Sequence, residues 1–130
     1  MPMFHDTGYH AQMPSVAPNC HPSTPDGSIH RIAVRVRRMR GETLALVYRI
    51  EGDVSRVRLP PPRPSHRADR LWRHTCCELF LRERGRAGYY EFNFSPSAEW
   101  AVYRFTAYRE GMTAVENAGR LRVVPRARAD

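Results

Sequence analysis

The chain contains no lysine. All 21 of its basic residues are arginine, set against 13 acidic residues for a formal charge of +8. A surface shaped for phosphate contact normally mixes both cations, so this one-sided usage speaks for coding bias rather than for a specific nucleic-acid partner. Long apolar runs are missing too. No stretch approaches the ~18 residues of a membrane span, and MPMFHDTGYHAQMPSVAPNCHP at the start lacks the basic opening and apolar run of a secretory signal. These absences give an expectation of no membrane partner and a cytoplasmic location. Cysteine is sparse and odd in number: Cys20, Cys76 and Cys77. Adjacent residues on a strand point to opposite faces, so Cys76 and Cys77 are poorly placed to bridge, and a reducing compartment fits best. There is no Gly-rich phosphate loop, no nucleophile-elbow serine, and no C-x-x-C or H-E-x-x-H spacing. No segment has a convincing 3.6-residue apolar period.

What the sequence does contain is alternation. Residues 1–28 carry Pro2, Pro14, Pro18, Pro22 and Pro25 and little periodicity, which predicts a loosely ordered arm, with Met3 and Met13 as alternative starts. From Ile29 the pattern has period two, and residues 29–130 read as one domain. Ile32, Val34 and Val36 alternate with Arg31, Ala33, Arg35 and Arg37; after Gly41-Glu42, Leu44, Leu46, Tyr48 and Ile50 alternate again. Residues 30–40 and 43–51 therefore read as a hairpin, followed by a short strand at 54–59. PPPRPSHRADR (60–70) is a loop, because its prolines cannot donate to a ladder. In LWRHTCCELFLRE, Thr75, Cys77, Leu79 and Leu81 share one face of a strand, and Cys76, Glu78 and Phe80 the other. RGRAG is a turn, and a weak last strand is placed at 120–124. Short, evenly spaced strands predict an all-β antiparallel sandwich.

The stretch YYEFNFSPSAEW (89–100) defines a candidate site. With SPSA as a four-residue connection and Pro96 at the second turn position, Phe94 pairs with Glu99, Asn93 with Trp100 and Tyr89 with Arg104. That register gathers Tyr90, Phe92, Phe94, Ala101, Tyr103 and Phe105 inside. It leaves Tyr89, Glu91, Asn93, Trp100 and Arg104 outside. An aromatic plane with a guanidinium, a carboxylate and an amide is the equipment that holds a sugar. Trp72 and Glu78 extend the candidate set. The plain structural alternative is a Glu91–Arg104 cross-strand ion pair, with Trp100 capping the core edge and Trp72 buried.

Residues 71–112 resemble the bacterial DOMON-like proteins, related to family 9 carbohydrate-binding modules. The resemblance rests on Leu71-Trp72, Thr75-Cys76 with Glu78, EFNFSPS, the following Trp100 and the YREGM ending; NCHPSTP (19–25) fits the lead-in. It extends over roughly 19–124. It implies a β-sandwich of antiparallel strands with a ligand face or cleft, and it carries no particular activity over to this chain. Ala98 stands where the family usually has glycine, and Cys77 where an aromatic is common. Relatives also continue beyond RLRVVPRARAD. The resemblance thus implies that C-terminal strands are lacking, leaving an open sheet edge that favours self-association.

The expected function is non-catalytic binding of a small polar ligand, a carbohydrate foremost, with no cofactor. Haem binding, as in redox DOMON domains, is the alternative. It would need an axial Met or His pair, and Met39, Met112, His30, His66 and His74 stand in no axial motif. An enzymatic reading would draw on His74 and Cys76, with Cys20 and His21, as thiol or metal chemistry, or on Glu78 and Glu91 as glycosidase carboxylates.

Overall fold

The computed structural model describes residues 15–20, 22, 23, 25, 27–119 and 121–127. Much of the 1–28 arm (1–14, His21, Thr24 and Asp26) and Arg120 of the last expected strand lie outside the described residues. The chain is all-β. Its strands form two antiparallel sheets, one of three and one of four strands, the two-sheet make-up of a sandwich. Helical structure among the described residues is limited to single 3-10 turns at Val54–Arg56 and Leu71–Arg73. No described helix is long and apolar enough to cross a membrane. The chain divides into two compact units, Met1–Val57 and Arg58–Asp130.

The first unit holds β1 (Ser15–Val16), β2 (Ile29–Arg38) and β3 (Leu44–Gly52). Ile32 pairs with Ile50, Val34 with Tyr48 and Val36 with Leu46, so the alternating apolar residues of both strands share one face. Arg31, Arg35 and Arg37 take the other face, as their spacing predicts. β1 adds two residues to β2 from within the stretch read as an arm. At Gly52 (φ 148°) a Cβ would fall 2.1 Å from the Ser28 carbonyl oxygen. Only glycine lets the chain close there, with the Asp53 N–H donating to that same oxygen at 2.8 Å. The strand read at 54–59 does not form. Arg56 N–H donates to Asp53 O, and Val57 N–H to Val54 O, curling the segment into a 3-10 turn. Ser55 donates to the Asp53 carboxylate, a local bond that competes with a ladder.

The second unit holds β4 (Cys77–Leu81), β5 (Tyr89–Phe94), β6 (Trp100–Phe105) and β7 (Thr113–Ala114), in that spatial order. Its β5–β6 register corrects the sequence reading by one residue. Phe94 pairs with Trp100, Asn93 with Ala101, Glu91 with Tyr103, Tyr90 with Arg104 and Tyr89 with Phe105. The cause lies in the bend. Ala98 N–H donates to Ser95 O at 3.0 Å, closing the predicted turn, but Ala98 then enters the left-handed region at φ 77°. Ser95 N–H donates to Glu99 O at 2.9 Å, which makes the connection three residues, 96–98, with a bulge-forming left-handed residue at its end. The extra residue turns every β6 side chain to the opposite face. Buried hydroxyls fix this bend. Ser97 Oγ donates to Glu99 Oε2 at 2.7 Å, and Ser95 Oγ lies 2.8 Å from it while accepting the Ser97 N–H.

Residues 63–68 are laced to the bend and to β6. Arg63 N–H donates to Ser97 O (2.7 Å), Trp100 N–H to His66 O (3.1 Å) and Ala68 N–H to Trp100 O (2.9 Å). Arg67 clasps Asp69 with both terminal nitrogens, at 3.1 and 2.8 Å, and Tyr103 donates its hydroxyl to Asp69 at 2.8 Å. The core of the unit is Leu71, Ala101, Tyr103 and Phe105, with Ala68, Cys76 and Tyr89 packed against it. Residues 121–127 carry no ladder where a last strand is read. β6 instead takes β7 as its neighbour, extended by Val115 N–H to Val102 O at 2.9 Å.

Candidate functional site

β4 pairs Glu78 with Asn93 and Phe80 with Glu91. Combined with the β5–β6 register, this sorts the second unit's sheet into two faces. One carries Glu78 and Phe80, then Tyr89, Glu91 and Asn93, then Ala101, Tyr103 and Phe105. The other carries Cys77, Leu79, Leu81, Tyr90, Phe92, Phe94, Trp100, Val102 and Arg104. The predicted site is therefore divided. Tyr89, Glu91 and Asn93 stay together, joined by Glu78. Trp100 and Arg104 leave for the opposite face.

The first face reads as rows across the strands. Glu78, Asn93 and Ala101 form one row, and Phe80, Glu91 and Tyr103 the next. Tyr89 and Phe105 form the third and stack at 4.7 Å. Leu71, in the 3-10 turn, covers part of this surface. Its neighbour Trp72 stands edge-on to Tyr103 at 5.9 Å and is 47% exposed, so it is not the buried core residue of the plain alternative. That alternative also loses its ion pair, because Glu91 and Arg104 lie on opposite faces.

Asn93 is the anomaly. It is 0% exposed, yet neither its amide nitrogen nor its amide oxygen has a hydrogen-bond partner. Buried polar groups are nearly always paired, and an orphaned one costs about 1–3 kcal/mol. Glu78, across from it on β4, is exposed. Burial raises the Glu78 carboxyl above its usual range, and the charge of Glu91 raises it further. The two carboxylates are diagonal neighbours in the ladder, a spacing of roughly 7–8 Å that long side chains bridge. Cys76 feels both: burial pushes its thiol up to about 11, with Glu78 the next cause and Glu91 a smaller one. At neutral pH such a thiol is protonated and a poor nucleophile.

Beyond Glu91 the face becomes aromatic. Phe80, Arg82, Tyr89 and Tyr108 line an open groove of about 360 Å³. Phe80 and Tyr89 approach at 6.1 Å, and the Arg109 guanidinium lies 5.3 Å from the Tyr108 ring centre. The Tyr89 hydroxyl accepts the Arg109 N–H at 3.2 Å, fixing that loop. Phe80 and Tyr108 are site residues the sequence reading does not nominate. The signal for Phe80 was its placement on the Glu78 face. Tyr108 sits in a turn, where no strand period could point to it.

Other candidates fare differently. Met39 and Met112 are 41% and 54% exposed, and His30, His66 and His74 are exposed, so none is buried as an axial haem ligand in an apolar pocket would be. His66 is taken up by Pro64 O at 2.7 Å and Glu99 Oε1 at 3.2 Å. Among the described residues no three His, Cys, Asp or Glu side chains are placed to share a metal ion. Of the three cysteines, Cys20 is exposed and Cys76 and Cys77 are half-buried. No protein-family model, curated protein or solved structure matches the chain.

Proposed function

We propose that the second unit is a non-catalytic, DOMON-like binding domain for a small polyhydroxylated ligand, a carbohydrate foremost, acting in a reducing cytoplasmic setting. The ligand lies over Glu78, Asn93 and Glu91, with Trp72, Phe80 and Tyr89 as aromatic surface. Trp100 and Arg104 have no part in it. One observation carries this reading: the buried Asn93 amide, with both its donor and its acceptor unpaired. A sugar hydroxyl donates and accepts at once, so it satisfies an amide on both atoms, whereas an apolar ligand satisfies neither. The adjoining aromatic groove suits the apolar edges of a sugar ring. The Cys76 thiol, held in its protonated form, does not offer this face a thiolate nucleophile.

Calorimetric titration of the full chain with neutral and amino monosaccharides tests the proposal. Binding is expected in the parent and in Trp100→Phe, and lost in Asn93→Leu. Loss in Trp100→Phe with retention in Asn93→Leu would put the ligand on the other face of the sheet.

A further inference from the structure

The sheet of the second unit has one guarded flank and one open flank. Along β6 the outward backbone groups are taken. Trp100 N–H donates to His66 O, Trp100 O accepts the Ala68 N–H, and Val102 O accepts the Val115 N–H. At the other flank, β5 is the ladder partner of β4, and no second one stands among the described residues. The alternation of the ladder says which β4 groups face outward. Ser95 N–H donates to Glu99 O, so Ser95 points its backbone toward β6, and Asn93, Glu91 and Tyr89 do the same. Phe94, Phe92 and Tyr90 then point theirs toward Cys77, Leu79 and Leu81. The backbone N–H and C=O of Glu78 and Phe80 are left facing away from the sheet. The strand carries neither proline nor bulge to guard this edge, and Phe80 and Leu81 are 56% and 37% exposed on it.

We infer that β4 is a dimerisation edge, pairing antiparallel with β4 of a second copy of this chain about a two-fold axis at Phe80. The residues of β4 and the following Arg82 select that register. Only outward-facing residues can exchange hydrogen bonds, so Phe80 must oppose Glu78, Phe80 or Arg82 of the other copy. With Phe80 against Phe80, Leu79 meets Leu81 and Leu81 meets Leu79. Every large apolar side chain of the strand then faces another, the rings on one side of the joined sheet and the leucines on the other. A shift of two residues, the smallest that keeps outward groups paired, sets Phe80 against Glu78 in one direction and against Arg82 in the other. In the favoured register Arg82 stands across from Glu78, so no like charges meet, and the pairing asks nothing more of the Glu78 carboxylate. A strand that matches itself in this way closes a pair and does not propagate into a chain of copies. The pairing is independent of what the sheet face binds.

Sedimentation velocity of the full chain over a concentration series tests the inference. The sedimenting mass is expected to rise from one chain to two, with half-conversion on the order of tens of micromolar for so short an edge. Phe80→Pro removes an outward N–H while sparing the β4–β5 bonds, and Phe80→Glu sets like charges together at the axis; each should leave the chain monomeric. Val47→Arg, on the exposed edge strand β3 of the other sheet, should leave the dimer intact. Hydrogen exchange on the parent protein needs no variant: the Phe80 N–H should gain about tenfold protection between dilute and concentrated samples. A single chain at every concentration overturns the inference, as does a dimer that persists in both Phe80 variants. Protection of the Phe80 N–H that does not change with concentration overturns it too, and assigns the edge to a segment of the same chain.

Discussion

Trp100 stands directly across from Phe94, and Asn93 directly across from Ala101, so the indole and the amide occupy opposite faces of one sheet. One residue in the left-handed region at the bend decides this. Ala98, at φ 77° and 8% exposed, holds a conformation that a Cβ disfavours by about 1–2 kcal/mol.

Ala98→Gly should therefore stabilise the chain by about 1 kcal/mol, after some loss of packing and of chain stiffness is set against the relief. Urea unfolding would show a higher midpoint with an unchanged slope. A lower midpoint would mean that the bend does not hold Ala98 in this conformation in solution.

Asn93→Leu replaces an orphaned amide by an apolar group of similar size. In the absence of ligand it should raise stability by about 1–2 kcal/mol while abolishing sugar binding. A stability loss, measured by the same unfolding experiment, would mean that the amide is satisfied in the free protein and has no need of a ligand.

Tyr103→Phe removes the hydroxyl that donates to Asp69 and should cost about 1 kcal/mol. The Asp69 carboxyl is held below its ordinary value by the Arg67 clasp first and the Tyr103 bond second. Its contribution is complete above the unfolded carboxylate range, about pH 4, and is lost as pH falls through the folded value. Asp69→Asn should flatten the acid limb of the stability curve and leave its alkaline side alone. An acid limb identical to the parent's would remove Asp69 from the account. Tyr103 itself is pushed up to about 12, by burial first and by Asp69 second, and stays protonated throughout this range.

Cys76 should alkylate slowly at neutral pH and accelerate about tenfold per pH unit until pH nears 11, because only the thiolate reacts. Glu78→Gln removes the second cause of the shift and should speed labelling. Mass spectrometry of iodoacetamide-treated protein separates Cys76 from the exposed Cys20. Fast neutral labelling of Cys76 would contradict the burial described here.

The sequence pattern was most legible where only one side of a sheet is apolar. In β2 and β3, Arg31, Arg35, Arg37 and Arg49 dominate one face, where Val47 is the one large apolar residue, and Ile, Val, Leu and Tyr dominate the other, so alternation fixes the pairing without help. In β5 and β6 both faces carry large apolar groups: Tyr103 and Phe105 on one, Phe92, Phe94 and Val102 on the other. Alternation then tolerates either register, and the bend decides. The left-handed backbone of Ala98 is a property of the turn and not of any hydrophobic period. The strand read at 54–59 failed for a similar local reason, as the Ser55–Asp53 bond favours a turn. The site followed the register. Glu78, Glu91, Asn93 and Tyr89 stayed together because they alternate within their own strands, whereas Trp100 and Arg104 depended on the loop length.

The hydrogen bonds that receive residues 63–68 come from Ser97 O, Trp100 N–H and Trp100 O. All three groups reach their positions only once the chain has turned back on itself at 95–99. Closing that bend is a short-range event, and bringing residues 63–68 to it a long-range one, so loop-closure entropy favours laying down the central hairpin before the arginine-bearing strap is tied onto it.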